Sequence, residues 1–272
     1  MRSVCIDNLQ TRYYIAGSGE RDILFVHGWA SSGRMWLRSM WALRREYRTW
    51  AIDLPGFGQS ETPETCWDTV EQYTDHVAAF CQALDIHPYV LVGHSLGGRI
   101  VFDLARRYPH LVERLVAVSP SITGRMGFNL NVLFSGLGES LLDFSRRIWP
   151  LATAGALSTY WAPRFLGSEG VRRAAHDMRR SSSQAAIGSL RALAAQDYSP
   201  HLAHIRHPTL IICGARDYTI PPDDSRLAAS RLPNARLAVL DHVHHWPTDE
   251  APGKFLGLLR SFLSESVLEA TS

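Results

Sequence analysis

Short uninterrupted apolar runs recur along the chain at 23–26, 89–92, 115–118 and 210–213, with further strand-like stretches at 49–52 and 236–240. Runs of this length without polar alternation fit strands covered on both faces, as in a parallel sheet. Between them the period changes. Residues 69–84 carry apolar side chains at Val70, Tyr73, Val77, Phe80, Cys81 and Leu84, mostly three or four apart, which predicts an amphipathic helix. Residues 100–108 predict a second helix, and Phe255, Leu258, Leu259, Phe262 and Leu263 mark a last one. The opening stretch 4–16 reads as strands closed by a turn at a sheet edge. Strand and helix in alternation predict an α/β fold with a mostly parallel, doubly wound sheet.

The alternation stops between Ser121 and Ala195, where no buried strand-like run appears. Helix-compatible pieces at 139–149, 153–160, 169–180 and 184–195 are broken there by Gly, Pro and Ser. The expected organisation is one core built from 1–120 and 196–272, with an inserted segment at 121–195.

Composition narrows the class. In 272 residues, 28 basic side chains against 26 acidic ones give +2, with no basic stripe interleaved with aromatics, so nucleic acid is not an expected partner. Cys5, Cys66, Cys81 and Cys213 are scattered, without a Cys-x-x-Cys pair, so neither a disulfide framework nor a zinc site is expected, and a reducing, cytoplasmic setting fits. Residues 1–7 lack the apolar core of a signal peptide. The uncharged stretches 126–138 and 148–163 fall short of the roughly 18 residues that a membrane span needs.

Candidate chemistry begins where the run before Gly93 breaks into Gly93-His94-Ser95-Leu96-Gly97 and a predicted helix follows. A side chain on so sharp a strand-to-helix turn is forced into strained backbone, and small residues two before and two after let strand and helix approach. Ser95 is therefore the candidate nucleophile, with the Leu96 N–H and the helix N-terminus pointing where negative charge would develop.

Strand before, helix after and the extra Gly98 resemble the nucleophile elbow of the α/β-hydrolase superfamily. The resemblance extends over nearly the whole chain except 121–195, which it identifies as a helical cap. It implies that the backbone N–H groups of Trp29, in His27-Gly28-Trp29, and of Leu96 form an oxyanion hole. It also implies that Asp53 and the turn at 53–60 are structural. In Ser119-Pro120-Ser121 there is no acid, whereas Gly214-Ala215-Arg216-Asp217 with Pro221 matches the family's acid loop and points to Asp217. In 241–246 three imidazoles compete. The family's frame of a Glu five residues on, then Pro and an aromatic, is met by Glu250, Pro252 and Phe255 only from His245. His244 then stands where the family usually has Gly.

A serine hydroxyl needs a base and a group that fixes that base's tautomer, roles that Ser95, His245 and Asp217 would fill. The expected function is hydrolysis of a small-molecule carboxylic ester through an acyl-enzyme, with no metal or organic cofactor. The general look resembles small carboxylesterases such as the pimeloyl-carrier-protein methyl esterases. Thioesterase, lactonase, C–C hydrolase and perhydrolase chemistry are alternatives on the same site, as is a non-catalytic ligand-binding protein. Haloalkane dehalogenases and epoxide hydrolases have Asp at the nucleophile position, and C–C hydrolases usually have Asn where His94 stands. Candidate substrate-binding residues are Trp29, Met126, Phe128, Phe134 and Trp161. Residues 121–186 hold eight basic residues, Arg172 and Arg173 among them, against four acidic ones, which predicts tolerance for an anionic group or a carrier protein.

Overall fold

The structure, a computed structural model, describes residues 1–127 and 168–265. The helices predicted at 139–149 and 153–160, and the pocket candidates Phe128, Phe134 and Trp161, lie outside the described residues.

The strands are β1 (Arg2–Ile6), β2 (Leu9–Ala16), β3 (Asp22–Val26), β4 (Arg48–Ile52), β5 (Pro88–His94), β6 (Arg114–Val118), β7 (Thr209–Gly214) and β8 (Ala235–Leu240). They join in one sheet in the order β1-β2-β4-β3-β5-β6-β7-β8. The first two pairings are antiparallel and every pairing from β4 to β8 is parallel. The hairpin β1–β2 turns on Asp7 and Asn8, both at positive φ (47° and 65°), which matches the right-handed twist of the flanking strands.

The apolar runs are continuous because both faces of the sheet are covered, and their side chains split by parity. Leu24, Val26, Leu91, Leu115, Ala117 and Ile211 join one cluster. Ile23, Phe25, Val90, Val92, Val116 and Ile212 join the other. The first cluster is closed by α2 (Val70–Ala83) and α3 (Leu96–Arg107), the second by α1 (Leu37–Leu43) and by a final helix, Pro252–Ser264. A capping box starts α2: the Thr69 hydroxyl accepts from Gln72 N–H, and Gln72 Oε1 accepts from Thr69 N–H at 3.1 Å.

Within the inserted segment the described helices are α4 (Ser168–Arg180) and α5 (Ser183–Ala194). Several contacts tie α4 to the core. Asp177 Oδ2 accepts from Ser32 Oγ at 2.8 Å, Arg173 makes two hydrogen bonds to Asp249 at 2.7 and 2.9 Å, and Arg180 Nε donates to the Gly58 carbonyl at 3.2 Å. After β7 come α6 (Pro222–Arg231), and after β8 the short α7 (Pro247–Glu250) and α8 (Pro252–Ser264). Among the described residues no helix is long and apolar enough to cross a membrane.

Parallel strands gather their C-terminal ends on one edge, where ligands bind in open α/β sheets. Here β3 ends before His27, β5 before Ser95, β7 before the loop to Asp217, and β8 before the loop to His245.

Candidate active site

Strand β5 ends at His94 and α3 begins at Leu96, so the helix starts four residues earlier than its apolar pattern predicts and Ser95 alone makes the turn. Ser95 is held at φ 54°, ψ −111°, a region that costs a non-glycine residue about 1–3 kcal/mol unless its surroundings enforce it. They do. The Ser95 N–H donates to the Val118 carbonyl at 2.9 Å. A Cβ on Gly93 would overlap the Gly97 carbonyl oxygen, and one on Gly97 would overlap the carbonyl oxygens of Val26 and His27. As the first residue of α3, Leu96 has an N–H among the four that a helix leaves without an intrahelical acceptor.

The loop after β3 is stiffened by His27. Its Nδ1–H donates to the Gly28 carbonyl at 2.7 Å and its Nε2 accepts from Leu54 N–H at 2.9 Å. Burial pushes its pKa from 6.5 down to about 4, against the pull of the Gly28 hydrogen bond, so His27 is a neutral strut. Next to it the Trp29 indole donates to the Ala186 carbonyl of α5 at 2.7 Å, tying this loop to the inserted segment.

Asp217 is buried, and its two oxygens are used differently. Oδ1 accepts from the N–H groups of Thr219 at 2.9 Å and Ile220 at 3.0 Å, while Oδ2 accepts from His245 Nδ1–H at 2.7 Å. With Nδ1 holding the proton, the Nε2 lone pair of His245 is left to face its other neighbours. The three imidazoles of this loop diverge. His242 is exposed at φ 60°, His244 Nδ1 lies 2.8 Å from Glu250 Oε2, and His245 turns inward to Asp217. Glu250 also accepts from the N–H of His244 at 2.8 Å and of Trp246 at 2.9 Å, so one carboxylate grips the loop on both sides of His245.

Ser95 and His245 both line a cavity of about 30 Å³ whose other walls include Trp29, Met126, Leu190, Leu193 and Ile220. Of the five predicted pocket residues, Trp29 and Met126 are therefore brought to it. The walls from α5, Leu190 and Leu193, went unrecognised in the sequence because a spacing of three on a helix marks a buried face without saying what it is buried against. Ile220 carried a usable signal, standing three residues beyond Asp217.

Arg172 and Arg173 belong elsewhere, to a cavity of about 480 Å³ between α1 and α4 that is also lined by Arg34, Arg38 and Asp249. Arg173 is paired with Asp249, so of these two arginines Arg172 is the one left to meet an anionic group. Asp53 is structural, accepting from Gly33 N–H at 2.7 Å and Gln59 N–H at 2.9 Å, as the turn chemistry predicts. Among the described residues no group of three or more His, Cys, Asp or Glu side chains could hold a metal ion.

Comparison with known proteins agrees with this architecture. The chain is 27% identical over 269 residues to a pimeloyl-[acyl-carrier protein] methyl ester esterase of Nitrosospira multiformis, covering 93% of this chain and 98% of that one. It is 27% identical over 303 positions to a 2-hydroxymuconate semialdehyde hydrolase of a Pseudomonas species, covering 100% and 96%. The structure of a hydrolase from Pseudomonas aeruginosa superimposes with a TM-score of 0.81 at 25% identity, covering 97% and 98%. A sequence profile described as alpha/beta hydrolase fold matches residues 23–252, most of the chain. By that match the chain belongs to the α/β-hydrolase fold family, and the hydrolases and esterases among its relatives support a hydrolase.

Proposed function

We propose that this hydrolase cleaves carboxylic esters through an acyl-enzyme on Ser95, with His245 as general base and acid and Asp217 as its orienting carboxylate. The observation that carries the reading is the 2.7 Å hydrogen bond from His245 Nδ1 to Asp217, made by an imidazole that lines the same cavity as Ser95. Ser95 Oγ attacks the ester carbonyl and its proton passes to His245 Nε2. The N–H groups of Trp29 and Leu96 receive the resulting oxyanion, and the alkoxide leaves with the proton from His245. A water, deprotonated by the same nitrogen, then releases the acid and restores Ser95. Each oxyanion donor of this kind contributes about 10²–10³ in rate.

The inserted segment 121–195 acts as a cap, since α5 supplies two walls of the cavity. Those apolar walls favour a small uncharged acyl group, and an anionic or carrier-borne alcohol portion is accommodated outside them. The test is labelling with a fluorophosphonate followed by intact-mass spectrometry, together with hydrolysis of nitrophenyl esters, thioesters and lactones. Single labelling that is lost in Ser95→Ala, with hydrolysis lost in parallel, is the expected result. Labelling that survives Ser95→Ala overturns the assignment. Hydrolysis of 2-hydroxymuconate semialdehyde but of no ester would favour the C–C hydrolase reading instead, since one relative is a 2-hydroxymuconate semialdehyde hydrolase.

A further inference from the structure

His94, the residue before the candidate nucleophile, is fully buried at the end of β5. Its Nε2 lies 2.8 Å from the backbone carbonyl oxygen of His245, so Nε2 carries the proton and donates it. The opposite nitrogen, Nδ1, is buried with no hydrogen-bond partner among the described residues. A second proton there would be an orphaned donor on a desolvated cation, and the imidazole is therefore neutral. Burial accordingly holds its pKa well below the ordinary 6.5, with the nearby His245 and Arg173 pressing in the same direction.

The ring also sits at a junction. Its centroid is 4.7 Å from that of His245 and 4.6 Å from the Trp246 ring. On the other side it meets the loop after β3, where a Cβ on Gly28 would stand 2.7 Å from His94 Nδ1 and 3.2 Å from Ser95 Cβ. One side chain thus touches the loop carrying the candidate oxyanion donor, adjoins the nucleophile in sequence, and bonds to the main chain of the candidate base.

We propose that His94 is a positioning residue: by donating from Nε2 to the His245 carbonyl it fixes the height and rotation of the His245 loop above Ser95, while its bare Nδ1 face sets how closely Gly28 approaches. This rests on the reading of Ser95 and His245 as nucleophile and base. Asp217 fixes the imidazole of His245 at Nδ1, Glu250 accepts from the N–H groups of His244 and Trp246 on either side, and His94 fixes the intervening carbonyl. Without that last hold the imidazole can shift relative to Ser95 although its bond to Asp217 survives, and a misplacement near 1 Å at a reacting centre costs about 10²-fold in rate.

Three variants of the full chain separate the hydrogen bond from the packing. Gln places an amide N–H₂ where Nε2 stands, Asn places one at the level of Nδ1, and Phe fills the ring volume with no donor. Two readouts are taken, kcat and KM on a short-chain nitrophenyl ester, and the far-downfield proton resonance of a His Nδ1–H bonded to a carboxylate, assigned by its loss in His245→Ala. His94→Phe and His94→Asn should lower kcat about 10²-fold with KM within about twofold and broaden that resonance, while His94→Gln keeps it sharp and recovers most of kcat. Equal loss in all three variants, or full kcat with a sharp resonance in His94→Phe, overturns the proposal. If Ser95→Ala retains hydrolysis, the proposed function fails by itself, and the resonance still decides whether His94 holds the His245 loop.

Discussion

Asp217 meets His245 with one oxygen only: Oδ2 accepts Nδ1–H at 2.7 Å, while Oδ1 is saturated by the backbone N–H groups of Thr219 and Ile220. The carboxylate cannot rotate to offer the other oxygen without breaking two hydrogen bonds, so the imidazole it holds has one tautomer and one heading. Asp217→Asn keeps the shape but puts either an amide donor opposite Nδ1 or an amide against two backbone donors. The expected result is a fall in kcat of about 10⁴, with KM little changed, because the tautomer that presents a bare Nε2 is no longer favoured. A kcat within tenfold of the parent, measured at saturating ester, removes Asp217 from the proposed machinery.

The same loop separates its three histidines. His245→Ala should lower kcat by at least about 10³. His242 is exposed, and its alanine variant should leave kcat within about twofold, as surface changes usually do. His244→Ala removes one of three hydrogen bonds to Glu250 and should cost roughly tenfold or less through slack in the loop. Side-by-side kinetics of the three variants decide this: an inactive His244→Ala beside an active His245→Ala would put the register off by one.

What the sequence allowed to be read follows from what each feature depends on. The parallel strands were legible because burial on both faces leaves an uninterrupted apolar run, as in Ile23 to Val26, all of it buried. The turn that presents Ser95 was legible because it needs small residues at fixed offsets, Gly93 and Gly97, whereas Asp217 and His245 became candidates through their resemblance to the family's acid and histidine loops. Contacts across the fold were not. Nothing near Arg173 announces that Asp249 lies opposite, 76 residues away, and nothing in the helix pattern of 184–195 announces that Leu190 and Leu193 face Ser95. The start of α3 lies earlier than its pattern predicts because Gly97 and Gly98 are poor helix formers, their conformation being imposed by the elbow.

Chain-length selectivity should reside in α5. Leu190 is 5% and Leu193 2% exposed, and both wall the cavity at Ser95. Leu190→Ala removes three methyl-sized groups from that wall, so the optimum among nitrophenyl acetate, butyrate and hexanoate should move at least one step longer. A stability loss of about 2–4 kcal/mol accompanies it. An unchanged chain-length profile in a folded variant would show that the acyl group lies elsewhere.

Acid sensitivity should come from buried imidazoles. Burial lowers His27 and His76 to about 4, and His94 well below 6.5. The unfolded chain takes up these protons first as pH falls, so the stability they contribute is full above about 6.5 and falls below it, for His27 and His76 between there and about 4. Two buried carboxylates work against this, since burial raises Asp53 to about 6 and Asp224 also upward, and the folded state binds their protons first. A difference measurement removes the offset. His76 is buried on α2, hydrogen-bonded to Thr11 Oγ1 at 2.8 Å and remote in sequence from every proposed site residue. His76→Gln should be less stable at pH 7 yet lose stability more slowly on acidification, by about 1.4 kcal/mol per pH unit between roughly 6 and 5. Parallel curves for parent and variant in urea titrations at those pH values would mean that His76 titrates normally.

Two adjacent arginines on α4 should behave as opposites. Arg173 is 14% exposed and clamped to Asp249 of α7, two residues beyond Pro247 and close behind His245, so reversing its charge sets two carboxylates against each other. Arg173→Glu should therefore lower kcat on every ester and cost about 1–3 kcal/mol of stability, less than for a fully buried pair. Arg172 is exposed, has no hydrogen bond or ion pair among the described residues, and lines the larger cavity with Arg34 and Arg38. If the alcohol portion of the substrate carries an anion toward that cavity, Arg172→Glu should raise KM for an acetate ester whose alcohol portion bears a carboxylate by about threefold to fivefold, the size of an exposed charge pair, and leave a neutral ester unchanged. The four KM values decide it, and equal effects of Arg172→Glu on both esters would leave these guanidinium groups as a solvated helix face with no part in substrate choice.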